Sequence, residues 1–322
     1  MRAVQIRKTG GPDVLDVADL ADPTATAGQI LVKHAAIGLN FIDTYQRSGL
    51  YPLELPTVLG REASGVVAAV GPGVTDFSPG DRVAYVTSGG AYADYNALPA
   101  DNAILLPDAI DFETGAACML KGMTAEFLAE RIWPLSAGDD VLVHAAAGGV
   151  GAILSQWLHH RGVRVIGTAG SEDKAAFAKA HGCADVILYR DVDVTAEVRA
   201  LTGGRGVKVA YDSVGKDTAE ASLASLAKRG LFVTFGNASG PVPPIAPLEL
   251  SRRGSLFMTR PTLFDYIATT EAFRASAKAL FDMIASGAVK IEIGQTFALA
   301  DIRKAHQALE SRATTGATVL VP

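Results

Sequence analysis

Between a β-type run, VLVHA, and a run with apolar residues at helical spacing, VGAILSQWL, the chain reads HAAAGGVG over His144–Gly151. A strand, a glycine turn and a helix in that order form the setting in which the pyrophosphate of a dinucleotide is held. Ala147 stands where the strict G-x-G-x-x-G pattern has its first glycine, and Gly149 and Gly151 carry the rest of a modified form. Absent side chains let the backbone approach the phosphates, and the helix start adds unpaired N–H groups and a positive dipole end. An ordinary tight strand–helix turn is the plain alternative.

The second strand bears on which dinucleotide is meant. A site for NAD places an acid at the end of that strand, about twenty residues after the glycines, to bind the ribose hydroxyls. Here the strand VRVIGTAG ends in Ala169 and Gly170, with Ser171 next and Lys174 one helical turn beyond. A hydroxyl, glycine N–H groups and an ammonium suit a 2′-phosphate, which a carboxylate would repel. Glu172 and Asp173 lie between them; turned inward either would favour NADH, but acids at a helix start face solvent and complement the dipole. NADPH is the expected cofactor.

These residues need a parallel sheet to position them, and the surrounding texture predicts one. From VLVHA onward, strands VRVIGTA, DVILY, VKVAYDSV, LFVTFG and SLFMT alternate with helical runs AILSQWLHHRG, EDKAAFAKAHG, VTAEVRALTGG and DTAEASLASLAKRG. Six strands with helical crossovers imply an α/β, doubly wound parallel-sheet domain. The first 120 or so residues differ: short β-type runs such as AVQI, LDVADL and QILVKHAAIGL are cut by Gly, Pro and Asp, with one helical candidate, NFIDTYQRSG. The tail, helix–strand–helix–strand, is too small to bury a core of its own and is expected to return to the β-rich domain. The expected organisation is 1–121 catalytic, 122–260 dinucleotide-binding and 261–322 returning, with a cleft between the two bodies.

Composition narrows the partners. A chain of 322 residues has room for about two domains. A net charge of −5 gives no general attraction for nucleic acid or an anionic membrane. No apolar run reaches the ~18 residues of a membrane helix, and the N-terminus has no signal-peptide core, so a cytoplasmic location is expected. The two cysteines, Cys118 and Cys183, lack the spacing of a disulfide framework or a zinc lobe and read as small buried hydrophobes.

The segment VLGREASGVVAAVG, Val58–Gly71, resembles a hallmark of the medium-chain dehydrogenases/reductases. Zinc-dependent members carry histidine where this chain has Arg61, and an arginine cannot ligate zinc. AIGLNFIDTYQRSG also lacks the cysteine of those alcohol dehydrogenases. Glu62 and His34 remain, short of the three ligands a catalytic zinc keeps. No metal is therefore expected, and ordinary alcohol oxidation is disfavoured. GLNFIDTYQRSGLYP, MLKGMTAEFL, HAAAGGVG, VIGTAGSEDK, LFMTRPTLFDY and ESRATTGATVLVP together resemble the zinc-free quinone oxidoreductases of the ζ-crystallin type, over the whole length.

That resemblance implies a GroES-like β-rich catalytic domain with an inserted Rossmann domain, NADPH as cofactor, a quinone as substrate and a homodimer. By motif it places Asn40, Phe41, Ile42, Asp43, Thr44 and Tyr45 beside the nicotinamide, with Thr124 near them. Gly149 and Val150 meet the pyrophosphate, and Gly170, Ser171, Glu172, Asp173, Lys174 and Tyr189 hold the 2′-phosphorylated adenosine end. Ser213 and the run Phe235, Gly236, Asn237, Ala238 end successive strands, where ligands of this fold bind. Pro261, Thr262, Leu263 and Arg312 close the nicotinamide half. Plain roles stay open: Lys174 as a solvated helix residue, Arg312 as a salt-bridge partner, Tyr45, Tyr51 and Phe235 as packing.

A quinone becomes aromatic on reduction, so the step is downhill and needs little acid catalysis. The cofactor supplies the hydride while the protein positions it. Tyr45 and Asn40 are the expected hydrogen-bond donors to a quinone oxygen as charge develops. Two alternatives are an NADPH-dependent enone or alkenal double-bond reductase on the same fold, and a non-catalytic NADPH-binding structural or RNA-binding protein. The acidic balance and the lack of basic–aromatic runs weigh against nucleic acid as a partner.

Overall fold

The structure, a computed structural model, describes residues 1–322. Its contacts divide the chain into two compact units. Met1–Met123, Thr269–Phe281 and Ile291–Pro322 form the first, and Thr124–Ala268 with Asp282–Lys290 the second.

In the first unit the strand Gln29–Leu39 is the spine of a seven-stranded sheet. It pairs antiparallel with Glu62–Val70, with Tyr95–Pro99 and with the last strand of the chain, Ala317–Val321. Arg82–Val86 and Ala103–Leu105 extend the sheet on one side, and Ile293–Ala298 pairs parallel to Ala317–Val321 on the other. The first half of the spine alternates buried and partly exposed residues, as a strand with one wet face should; from Ile37 to Leu39 it is buried throughout. Ile30, Val32, Ile37, Leu39, Tyr85, Tyr92 and Leu320 meet in one core cluster. A second, small sheet joins Arg2–Ile6 to Asp16–Asp19 and to Thr57–Val58, a two-residue strand too short to announce itself in the sequence.

The second unit holds six parallel strands. Across the sheet they run Cys183–Leu188, Arg164–Ala169, Asp140–Val143, Val207–Asp212, Leu226–Thr234 and Phe257–Thr259, with every neighbouring pair parallel. Counted along the chain, the third strand lies outermost, then the second and first, then the fourth to sixth. This is the doubly wound order whose switch point falls between the first and fourth strands. All six predicted strands are present, with helices Gly149–His160, Glu172–Ala180, Val194–Leu201 and Ala219–Ser225 between them. One boundary differs. The run DTAEASLASLAKRG is expected to be helical throughout, yet its helix stops at Ser225 and Leu226 opens the fifth strand. Arg229 has φ 61°, outside the α-helical region, and its N–H bonds to the Gly254 carbonyl. Pairing of Leu226 with Val207 outweighs the local helical preference.

Both cysteines are buried. No helix is long and apolar enough to cross a membrane.

One close approach ties the first sheet to what it carries. A Cβ on Gly38, near the end of the spine, would overlap the Ala116 carbonyl oxygen and the Glu62 carboxylate. Overpacking at such a site costs about 1–3 kcal/mol. Gly38→Ala is therefore expected to lower the urea midpoint by that amount at unchanged m-value, and an unshifted midpoint would mean that the spine and the helix carrying Ala116 can separate freely.

Candidate active site

The helix Phe41–Ser48 starts where the spine ends, and Asn40 is its N-cap. Asn followed three residues later by an acid is a helix-start signature. The reciprocal bond is made: Asp43 Oδ2 accepts from the Asn40 N–H at 2.8 Å. Asp43, Thr44, Tyr45, Gln46 and Arg47 are all buried, an unusual load of polar side chains for one short helix. Each must therefore find partners inside.

The Asn40 amide nitrogen donates to Glu62 Oε1 at 2.8 Å, and the same oxygen accepts from Lys121 Nζ at 2.7 Å. Glu62 Oε2 accepts from the Leu120 N–H at 2.6 Å. Glu62 and Lys121 are buried. A charged pair removed from water is tolerated only with such geometry and with its remaining hydrogen-bonding capacity filled.

A second chain of bonds runs from the same helix. Tyr92 Oη donates to Asp43 Oδ2 at 2.7 Å and lies 3.3 Å from His306 Nε2. Arg47 approaches His306 Nδ1 at 3.0 Å and grips Glu310 with both terminal nitrogens, at 3.0 and 2.6 Å. A guanidinium only donates, so His306 Nδ1 accepts and its Nε2 carries the proton that faces Tyr92. Burial, then the Arg47 charge, lowers the His306 pKa to about 3, so the imidazole is neutral at pH 7. Burial raises the Asp43 pKa to about 6 against the opposing pull of Tyr92, Asn40, Arg61 and Lys121. Asp43 Oδ1 is buried without a hydrogen-bond partner.

Three aromatic rings stand in series on this side. Phe41 and Tyr45 have centroids 6.2 Å apart, and Tyr51 meets Tyr45 edge-on at 5.4 Å. Arg61 is half-buried beside them, its Nε donating to Gln46 Oε1 at 3.3 Å.

In the second unit the glycine turn leaves the first strand, Asp140–Val143, and enters the helix Gly149–His160 with Gly148 as N-cap. The Ala146 N–H bonds to the Thr168 carbonyl, tying the turn to the second strand. A Cβ on Gly151 would overlap the Ala145 carbonyl, so the helix start can approach the turn this closely only without one. At the end of the second strand Ser171 caps the next helix, its Oγ accepting from the Lys174 N–H. Glu172 and Asp173 are exposed, as acids in a first turn should be. Lys174 is half-buried, and burial followed by the positive charge of Arg190 lowers its pKa. The Tyr189 hydroxyl lies against Gly170, where an added Cβ would come within 2.7 Å of it. The Arg190 guanidinium is 6.0 Å from the Tyr189 ring centre. Two cations, a hydroxyl cap and a phenol thus gather at the end of the second and third strands.

The fourth strand ends in Asp212, whose carboxylate accepts from the Val214 and Gly215 N–H groups and from the Thr218 and Ser222 hydroxyls. This fixes the turn that starts at Ser213. The Phe235 N–H bonds to the Asp212 carbonyl, and Gly236 packs against Ser213 so tightly that a Cβ would overlap it. Ser213 and Phe235–Ala238 are therefore brought together. Two buried polar atoms without partners, His144 Nε2 and Thr234 Oγ1, lie at the same C-terminal end of the sheet. Glycine backbone, a helix start, paired cations and orphaned polar atoms fit a phosphorylated dinucleotide.

Pro261–Leu263 and Thr124 belong to the second unit, and Arg312 to the first. Sequence reasoning did not single out Lys121, Tyr92, His306 or Arg190 as members of these clusters. Of these, only Arg190 has a local signal, a basic residue directly after Tyr189 at the end of the third strand.

Two family models match the chain: one described as an alcohol dehydrogenase GroES-like domain over residues 26–108, the other as a zinc-binding dehydrogenase over 149–286. Zinc does not fit the donors present. Arg61 is cationic, both Glu62 oxygens are engaged, and no three His, Cys, Asp or Glu side chains gather as metal ligands would. Over 323 residues the chain is 49% identical to a quinone oxidoreductase of Pseudomonas aeruginosa, spanning 100% of this chain and 99% of that protein. It is 42% identical over 328 residues to a 2-haloacrylate reductase of Burkholderia, spanning 99% and 98%. Among solved structures, the Escherichia coli quinone oxidoreductase complexed with NADPH superposes with a TM-score of 0.97 at 45% identity, covering 100% of both chains. A mycobacterial protein complexed with NADPH gives a TM-score of 0.98 at 48% identity, again over 100% of both chains.

The raised Asp43 pKa has a definite sign in stability. A carboxyl that holds its proton more tightly folded than unfolded contributes stability that is complete below its unfolded pKa and is lost as pH rises through about 6. Comparing Asp43→Asn with the natural protein by urea unfolding cancels every other titration. The natural protein is expected to lose about 2 kcal/mol relative to the variant between pH 4.5 and 7.5. Parallel pH profiles would contradict the buried, proton-holding Asp43.

Proposed function

The chain belongs to the quinone oxidoreductase family of the medium-chain dehydrogenases/reductases, and on that premise we propose that it reduces quinones with NADPH. The single observation that carries the cofactor reading is the charge at the end of the second and third strands, where Lys174 and Arg190 face one another with no carboxylate turned between them. Like charges held together in this way call for an anion, and a 2′-phosphate supplies it. NADH has none. Gly149 and Val150 are assigned to the pyrophosphate, Gly170, Ser171, Lys174 and Tyr189 to the adenosine phosphate, and Ser213 with Phe235–Ala238 to the path between them. Glu172 and Asp173 contribute through the backbone of the helix start.

Bound NADPH supplies the hydride. The chain's own residues bind and orient. Asn40 to Tyr45 form the nicotinamide side, with Thr124 one helical turn after Lys121, and Pro261–Leu263 and Arg312 complete that end. Glu62 orients the Asn40 amide, and Asn40 and Tyr45 direct their donors at the quinone oxygen as negative charge grows there. Asp43 serves through its bonds to Asn40 and Tyr92 and holds the turn in place. We take the protein to act in the cytoplasm as a homodimer. The outermost strand, Phe257–Thr259, leaves Phe257 and Met258 exposed, which supports pairing of two copies at that edge.

Initial rates with a simple quinone, taken with NADPH and then with NADH, test the activity and the cofactor together. Turnover specific to NADPH is expected; equal use of NADH would remove the phosphate reading. Lys174→Ala and Arg190→Ala are each expected to weaken NADPH about tenfold, on the order of 1.4 kcal/mol, with little change for NADH. Equal loss of both cofactors would assign these residues to structure.

A further inference from the structure

Arg61 has no part in the account so far. It directly precedes Glu62 at the head of the strand Glu62–Val70, and it is held rather than waving in solvent: its Nε donates to Gln46 Oε1 at 3.3 Å. Gln46 is buried on the same short helix as Tyr45 and Asp43. Burial lowers the Arg61 pKa, while Asp43 and then Tyr51 pull it up, but a guanidinium stays charged in either case. The other two cations of this cluster have their own carboxylates at close range, Lys121 on Glu62 at 2.7 Å and Arg47 on Glu310 at 2.6 Å. Asp43, the acid that faces Arg61, already gives Oδ2 to Tyr92 and the Asn40 N–H.

Beside this guanidinium stand the aromatic rings of Tyr51, Tyr45 and Phe41, at successive centroid distances of 5.4 and 6.2 Å. Aromatic side chains receive a flat conjugated ring by offset or edge contact. A guanidinium presents its N–H donors in a planar fork that matches a carboxylate. The combination selects a flat ring that bears a carboxylate.

We propose that Arg61 determines acceptor specificity, and that the preferred quinone carries a carboxylate substituent received by Arg61 while its ring lies against Tyr51 and Tyr45. This rests on the reading of the Asn40–Tyr45 turn as the nicotinamide side of a quinone reductase. An uncharged quinone is then a poorer substrate because a half-buried cation is left without the anion it is placed to meet.

The test compares a carboxylated p-benzoquinone with its methyl ester, which keeps the ring and removes the charge, at saturating NADPH. For the natural protein kcat/KM for the acid is expected to exceed that for the ester at least tenfold. In Arg61→Gln the ratio falls to near one, and in Arg61→Lys it lies between. A ratio taken on one enzyme preparation is independent of how much of it is folded. A merely structural Arg61 lowers both values alike and leaves the ratio where it was, which overturns the proposal, as does a natural protein that shows no preference. Turnover of the ester without preference for the acid refutes the inference and leaves quinone reduction standing. Failure to turn over either refutes quinone reduction itself, and the inference with it. Benzoate, as a competitive inhibitor of ester reduction, gives a second readout: it is expected to bind at least tenfold more weakly to Arg61→Gln, and equal inhibition of both proteins would contradict the role.

Discussion

The buried pair of Glu62 and Lys121 is the constraint on which the first unit depends. Its carboxylate gathers three donors from three places: Lys121 and the Leu120 N–H from the helix Phe112–Glu130, and the amide of Asn40 from the end of the sheet's central strand. Taking two charges out of water is tolerated only because every remaining position on the carboxylate is filled. The pair therefore fixes where the central strand stops and at what angle the helix Phe41–Ser48 departs. It also explains why Gly38 carries no side chain, since a methyl group would strike both the carboxylate and the helix backbone. In a family whose zinc-dependent members organise this region around a metal, the chain uses an internal ion pair, and Arg61 follows from the same substitution of fixed charge for a bound ion.

The second unit is organised by strand order rather than by one contact. The first strand at the centre, with the second and fourth on either side, brings the ends of all three to one edge, where the glycine turn, the Ser171 cap and the Asp212 turn open together. Asp212 is the counterpart of Glu62: a buried acid that meets backbone N–H groups and hydroxyls and so shapes a turn without touching the chemistry. Both acids illustrate why a carboxylate in a site need not be an acid or base of the reaction.

What was legible in the sequence was what depends on neighbours in the chain. The strand–turn–helix around His144–Gly151, the cap at Ser171 and the six parallel strands each announce themselves within a dozen residues. The Glu62–Lys121 pair was not legible because its members are 59 residues apart, and Arg47 meets His306 across 259. Asp43 shows the limit most plainly. Its place in LNFIDTY suggested contact with the cofactor, whereas its carboxylate faces Tyr92 and the Asn40 N–H inside the fold. The boundary at Leu226 went the same way: AKR has helical preference, and pairing with a strand nineteen positions earlier decided against it.

The central claim, that an ion pair holds the nicotinamide side of the site, is tested most directly by a double-mutant cycle on Glu62→Gln and Lys121→Met, read by urea unfolding. Removing one partner of a buried pair costs about 3–5 kcal/mol because the other charge is stranded, so each single variant is expected to lose about that much. The double variant is expected to lose far less than their sum. Additive losses would mean that the two side chains act independently, and the site would then have to be held by something other than their attraction.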